Sequence, residues 1–376
     1  MELSVLQKHV RKLAILPETE SLVISCYLTL EQGRPKERKA VDQRIHSLRK
    51  TVAGRNQRDL EAVLEWIEAY LENELRPYSR GVAIFARAGE KRLFLPLQFR
   101  VPLPNWIVAD SVPNLYHLIE LKDTYERYVV MISSENSIRI FGVNLGAVTE
   151  KLWRERSELR KRVGREWSKE HYQDHRKDTV RRFIREKIRI LDRQVSAGGY
   201  TRLILAGNPA MTERVKAALP QHLREKLIDV VRVSTEAGTS DVVRATIGSF
   251  IEHEQRESHT VVEQFVKEIH SDGLAVIGTE ACLQALQWGQ VDTLLLNGGY
   301  KPELGWTCND CGRMRVSKNK PVVCTECGAS TLSEFNIKEE MVRLAERNSS
   351  TIETVKESEI LNELGGVGCL LRYRVS

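Results

Sequence analysis

Two cysteine pairs, Cys308-Asn309-Asp310-Cys311 and Cys324-Thr325-Glu326-Cys327, lie twelve residues apart and constrain this 376-residue chain more than any other feature. A Cys-x-x-Cys pair sets two thiolates on one tight turn, and a hairpin that brings a second pair alongside completes a tetrahedral four-sulfur site. Such a site is closed, so the expected ion is one structural Zn2+ rather than a catalytic metal. Gly312 and Gly328 each follow the second cysteine of a pair, where a turn wrapped around a metal needs positive φ. A redox or disulfide reading is weaker, because nothing else in the chain points to an oxidising compartment. Cys26, Cys282 and Cys369 sit in apolar runs and read as buried small hydrophobes. Binding of this kind supplies about 10–16 kcal/mol as folding free energy, yet it names no activity.

The length implies two or three domains, and three are expected, at 1–122, 123–255 and 256–376. Hydrophobic residues at 41% against 29% charged exclude a wholly disordered chain. The opening MELSVLQKHVRKLAILPETE lacks the apolar core of a signal peptide, and no run reaches the roughly 18 apolar residues of a membrane span. A cytoplasmic, monomeric protein with no membrane contact is expected. The net charge of +6 permits a polyanionic partner, and its distribution matters more than its size. From Lys151 to Arg189, basic residues outnumber acidic ones and aromatic or imidazole side chains are interleaved. A solvated helix laced with opposite charges accounts for such a run. A phosphate-tracking arm accounts for it too, with Arg160, Lys161, Arg162, Arg165, Trp167, Lys169, His171, Arg176, Lys177, Arg181 and Arg182 as its candidate RNA contacts. His171 and His175 share a helix face, but no third metal ligand accompanies them.

Along the chain, a first helix leads into the strand LVISCYLTL, two amphipathic helices and the strands GVAIFARA and RLFLPLQF. Pro102, Pro104 and Pro113 then mark a connector. The middle segment begins with YVVMISS, SIRIFGVN and a third short strand that ends near a helix at Val148. After the basic helix come RLILAGNP, a helix, DVVRVS and a further helix to about Glu254, which together make a mixed sheet with helices on its faces. The last segment alternates from a separate helix, VVEQFVKEIH, through LAVIG, TEACLQALQWG, VDTLLLNG, KEEMVRLAERN, TIETV and GCLLRYRV. Removing 303–335 leaves that alternation unbroken, so the cysteine ribbon is an insertion in a compact α/β domain. Gly365, Gly366 and Gly368 are read as turn-formers before the final strand, and Gly289 as a left-handed helix cap.

Thr279, Ala285, Leu286, Gly289, Val291, Thr293, Leu294 and Leu295 match a T-x-x-A-L-x-x-G-A-V-x-T-L-L run, and Leu364–Tyr373 matches a terminal L-G-G-I-G-A-I-L-R-Y. On these residues the chain from about 123 to 376 resembles the archaeal and eukaryotic peptide chain release factor subunit 1 family, which includes Pelota. The first 122 residues resemble the shortened amino domain of bacterial relatives, especially through SVPNLYHLIELKDTYERYVV. The resemblance implies a three-domain α/β protein: a small α/β amino domain, a ribonuclease H-like middle domain and an α/β carboxy domain carrying the ribbon.

Release factors of this family present a Gly-Gly-Gln loop ahead of the long middle helix. Here the stretch from Val163 to Gln173 keeps only Gly164, while Glu166 and Trp167 add charge and bulk. The family's stop-codon elements are missing, and Asn336-Ile337-Lys338 lies in the wrong domain and lacks a following serine. No P-loop, nucleophile elbow or dinucleotide fingerprint is present either. The resemblance therefore implies a non-enzymatic factor in the ribosomal A site, similar to Balon-type hibernation factors, with ribosomal RNA and a translational GTPase such as elongation factor Tu as partners. Two alternatives stand beside it: a rescue factor that hydrolyses peptidyl-tRNA through an altered loop, and a ribosome-splitting factor of the Pelota kind.

Overall fold

The computed structural model describes residues 2–52, 54–89, 91–135, 137–155 and 169–373. They fall into two bodies, one of Tyr125–Glu254 with the first three residues of the chain, the other of Ser4–Thr124 with Gln255–Ser376.

The amino-terminal segment runs α1 (Leu3–Ala14), β1 (Val23–Glu31), β2 (Arg34–Pro35), α2 (Arg38–Thr51), α3 (Arg55–Asn73), β3 (Gly81–Arg87), β4 (Leu93–Phe99), β5 (Trp106–Asp110) and α4 (Tyr116–Thr124). The wholly antiparallel sheet centres on β1, whose Cys26 faces Ile84 of β3 on one side and Ile107 of β5 on the other. Its apolar face takes up Leu60, Val63, Leu64 and Ile67, the inward stripe of α3. The connector with its prolines thus contains a strand: Pro102 and Pro104 keep the backbone extended, and the chain emerging from them pairs along β1.

The middle body holds β6 (Tyr128–Ser133), β7 (Ser137–Asn144), β8 (Ala147–Glu155), α5 (Lys169–Gly198), β9 (Arg202–Gly207), α6 (Pro209–Ala218), α7 (Gln221–Arg224), β10 (Leu227–Val231) and the start of α8 (Thr239–His270). Its strand order is β10-β9-β6-β7-β8. β6, β7 and β8 form an antiparallel meander, whereas β6, β9 and β10 run parallel. Every residue of β6 is buried, as a central strand covered on both faces must be. Val129 and Met131 pack with Leu191 and Val195 of α5 and Met211 and Val215 of α6. Tyr128, Val130 and Ile132 point the other way, toward Val242 and Phe250 of α8. The expected helix at Val148 is not formed. Leu145 and Gly146 take φ of 46° and 67°, a two-residue hairpin turn, so Val148 lies inside β8.

The carboxy-terminal segment continues with β11 (Ala275–Ile277), α9 (Thr279–Gln287), β12 (Val291–Asn297), β13 (Gly305–Cys308), β14 (Met314–Val316), β15 (Leu332–Phe335), α10 (Ile337–Arg347), β16 (Thr351–Val355), α11 (Glu359–Glu363) and β17 (Val367–Leu371). The main sheet is ordered β11-β17-β12-β16, and β13, β14 and β15 form a separate three-stranded ribbon. β12 and β16 lie side by side and parallel, although the ribbon and α10 separate them in sequence. The two helices expected on either side of Glu254 are one continuous helix, α8, since no Gly or Pro interrupts residues 249–270. Gly289, Gly365 and Gly366 have positive φ, but Gly368 does not: it lies in β17, where a Cβ would meet the Phe265 ring at 2.2 Å.

Within the same body, α10 receives α4. The Glu339 carboxylate accepts hydrogen bonds from the backbone N–H groups of Leu115 (2.5 Å) and Tyr116 (3.1 Å), satisfying two donors at the start of α4. Asp123 Oδ2 likewise accepts from the backbone N–H of Thr354 at 2.8 Å, and Lys122 pairs with Glu346 at 3.1 Å. Among the described residues, no helix is long and apolar enough to cross a membrane.

Candidate functional site

Each cysteine pair sits on the same backbone device. The N–H of Cys308 donates to Arg313 O at 2.9 Å, and that of Gly312 to Cys308 O at 2.9 Å. The second pair repeats this, with Cys324 N–H to Ala329 O at 2.7 Å and Gly328 N–H to Cys324 O at 2.8 Å. Gly312 and Gly328 have φ of 72° and 74°, and neither Cβ position meets an atom within 4 Å. The left-handed backbone alone therefore demands glycine there, as the spacing predicts.

The two turns face one another and bring all four sulfurs within 4.8 Å of each other. Cys308 and Cys327 Sγ are 3.5 Å apart, and Cys311 and Cys324 Sγ are 3.6 Å apart. With metal–sulfur bonds of about 2.3 Å, the edge of a tetrahedron is about 3.8 Å, so these distances fit two opposite edges of an S4 site. They are far too long for disulfides, whose sulfurs lie about 2.05 Å apart. Backbone N–H groups of Cys327 and Glu326 aimed at Cys324 pull its thiol down to about 7, whereas at Cys327 the Ala329 N–H is outweighed by crowding from the other sulfurs, which pushes its thiol up to about 12. Around the site, Arg315 Nη1 donates to Thr325 Oγ1 at 3.0 Å and Thr331 Oγ1 to Asp310 Oδ2 at 3.0 Å, tying the ribbon to both turns. Trp306 of β13 is buried, and its Nε1 donates to Ser317 O at 3.3 Å. Among the described residues, these cysteines are the one cluster placed to hold a metal ion. No fourth position is left open for a reacting water, so the arrangement is structural in kind.

The basic candidates divide differently. Arg160, Lys161, Arg162, Arg165 and Trp167 lie outside the described residues, as does the rest of the Val163–Ser168 stretch. Lys169, His171, Arg176 and Lys177 fall on α5, and their side chains are likewise outside the description. Arg181 and Arg182 are exposed on α5. Beyond them the helix carries Arg185, Arg189 and Arg193, all exposed, so Arg181, Arg185, Arg189 and Arg193 form one row at i, i+4 steps of about 6 Å rise. Phe183, Ile184, Lys187 and Leu191 occupy the buried side. The candidate contacts read from sequence end at Arg182; the four-residue recurrence of arginine was the signal for a longer exposed basic row on α5.

Asn336-Ile337-Lys338 has a structural role at each position. Asn336 caps α10 by accepting from Glu339 N, Ile337 is buried, and the Lys338 ammonium lies 3.3 Å from the centre of the Tyr116 ring.

Comparison with known proteins accords with this anatomy. Residues 113–250 match the family described as bacterial archaeo-eukaryotic release factor family 10, and residues 255–375 match eRF1 domain 3. A peptide chain release factor subunit 1 of Pyrococcus abyssi is 30% identical over 201 residues, covering 47% of this chain and 49% of that protein. A second, from Thermococcus onnurineus, is also 30% identical, covering 47% and 48%. The chain thus matches about half the length of these curated relatives. Among solved structures, the C-terminal domain of a peptide chain release factor from Methanosarcina mazei is 27% identical, covering 38% of this chain and 98% of that one with a TM-score of 0.31. Pelota from Archaeoglobus fulgidus is 13% identical, covering 78% and 80%, with a TM-score of 0.37. The two adjoining matches, over 113–250 and 255–375, are thus both to release-factor models, one of a bacterial family and one of the third domain of eRF1.

Proposed function

We propose that the chain is a ribosome-binding translation factor that occupies the A site as a hibernation factor, neither reading stop codons nor hydrolysing peptidyl-tRNA. The observation that carries this reading is a mismatch between family and motif. The middle segment is of release-factor type, yet Val163–Gln173 retains a single glycine and no Gly-Gly-Gln. A bare, flexible tip is what lets backbone enter a crowded catalytic centre, and Glu166 and Trp167 remove that property. The arginine row on α5 and the basic stretch before it supply phosphate contacts to ribosomal RNA. The four cysteines hold one Zn2+ that folds the ribbon. The carboxy-terminal segment meets a translational GTPase, elongation factor Tu in this reading, and the protein works in the cytoplasm as a monomer.

Co-sedimentation with vacant and peptidyl-tRNA-bearing ribosomes tests the proposal. Intact ribosomes should carry the protein, release no peptide and show an affinity that falls steeply with salt. Charge reversal at Arg160, Lys161, Arg162 and Arg165 should weaken binding. Peptide release that disappears in Gln173→Ala would instead establish hydrolysis through an altered loop, and subunit splitting in a sucrose gradient would establish a Pelota-like role.

A further inference from the structure

The middle body contains a crevice of about 710 Å³ whose lining includes no residue of the cysteine ribbon or of α5 among the described residues. It opens at the carboxyl ends of β6, β9 and β10, where the parallel strands finish at Ser133, Gly207 and Val231. The chain leaving β6 turns back through Ser134 into β7, whereas the chain leaving β9 departs the opposite way into α6 and on to β10. Adjacent strands whose exits diverge leave a gap between them, the usual position of a ligand in an open α/β sheet. Gly207 keeps the floor bare: its φ is 131°, and a Cβ would stand 2.7 Å from the carbonyl oxygen of Ser133.

The charged side chains that line this gap are two arginines, Arg214 and Arg232, and one carboxylate, Glu135. Arg214 from α6 and Arg232 from the end of β10 both line it, both are exposed, and neither makes an ion pair among the described residues. Beneath the floor is a third positive charge. Lys187 of α5 is fully buried, and its ammonium donates to Ser133 Oγ at 3.0 Å and to the carbonyl of Ser134, a lining residue. Burial pulls its pKa down to about 8, with Glu135 acting in the opposite sense. Ser234 and Thr235 add hydroxyls, while Met211 and Val233 give an apolar wall. The amino end of α6 does not carry the site, since Asn208 Oδ1 already accepts from Ala210 N at 2.9 Å.

We propose that this crevice binds a small phosphorylated ligand of the nucleoside diphosphate class, with Arg214 and Arg232 holding the phosphates and the Met211–Val233 wall covering the apolar portion. Its size is that of small-molecule pockets, roughly 300–1,000 Å³, and exceeds what inorganic phosphate fills. Arginine is the side chain that pairs bidentately with phosphate oxygens. The proposal is independent of ribosome binding.

Isothermal titration of the purified full chain, without ribosomes, uses four probes: pyrophosphate, adenosine diphosphate, adenosine and a single-stranded RNA hexamer lacking terminal phosphates. Pyrophosphate and adenosine diphosphate should each bind saturably at one site, and adenosine should not. The Arg214→Gln, Arg232→Gln double variant should lose about tenfold or more in affinity, with Arg182→Gln unchanged as a control for general charge. Both arginines are exposed, so the double variant should keep the wild-type thermal unfolding curve. Absence of saturable phosphate binding, equal affinity in the double variant, or arginine-dependent binding of the RNA hexamer alone would overturn it; the last outcome would make the crevice part of an RNA surface. Since no ribosome is present, failure here leaves the A-site reading standing.

Discussion

Glu339 offers the sharpest energetic test, because one carboxylate closes the start of α4 from 224 residues away in sequence. It is 3% exposed, and burial raises its pKa to about 7 despite the N–H bonds from Leu115 and Tyr116 and the charge of Lys338, with Asp110 adding to the rise. A carboxyl whose folded pKa exceeds its unfolded value of 4.5 binds more protons in the folded state between those two values. Its contribution to stability is therefore complete below about pH 4.5 and lost as pH rises through about 7, by about 3 kcal/mol at 1.36 kcal/mol per unit. Glu339→Gln keeps an oxygen for both donors and removes the titration. Urea unfolding of the two proteins from pH 5 to pH 8 should give a stability difference that moves toward the Gln variant by about 2–3 kcal/mol. Glu339→Ala removes the acceptor as well. Two buried N–H groups at about 1–3 kcal/mol each predict a loss near 4 kcal/mol, or about 10 °C in Tm for a body of this size. A difference curve that is flat, or that moves toward wild type as pH rises, would show that the two amides favour the ionised form more than burial opposes it.

The remaining predictions address the ribbon and the arm. Cys324→Ser should abolish stoichiometric zinc retention, measured by chelator titration, and unfold the ribbon while hydrogen exchange in β6 and β9 stays protected. Gly328→Ala meets no atom, so its cost should be only the left-handed backbone, about 1–2 kcal/mol, read as roughly a tenfold rise in the zinc dissociation constant. The double variant Arg185→Glu, Arg189→Glu should lower ribosome co-sedimentation and flatten its salt dependence without moving thermal unfolding, since both side chains face solvent.

How far the fold was legible depended on how locally each feature is determined. The two cysteine turns and their clustered sulfurs were legible, because spacing, turn and positive-φ glycine all fall within six residues of one another. Cys26, Cys282 and Cys369 were legible as buried residues, since the apolar runs around them are the strands and helix of two cores. β5 was not legible: Trp106–Asp110 is a strand only because β1 presents an open edge about eighty residues earlier. Gly368 was misread for a related reason. Its position is fixed by the Phe265 ring pressed against β17, and no turn at that point in the chain is involved.

The same distinction separates the parts of the candidate site. Metal ligands reveal themselves in sequence because a chelate must be short, whereas Arg214 and Arg232 share a crevice, with Lys187 bonded to its lining residue Ser134, only after two parallel strands and their diverging exits have formed. Their codes in the sequence are ordinary: two solvent arginines and one lysine on an amphipathic helix. What distinguishes Lys187 from its neighbours is phase. It falls on the same face as Ile184 and Leu191, where an apolar residue is the default, and a fully buried ammonium at such a position needs acceptors that only a folded strand end supplies. A lysine on the apolar phase of an otherwise basic helix is therefore a sequence-level pointer to a polar pocket beneath it, and here the pocket is found where that pointer leads.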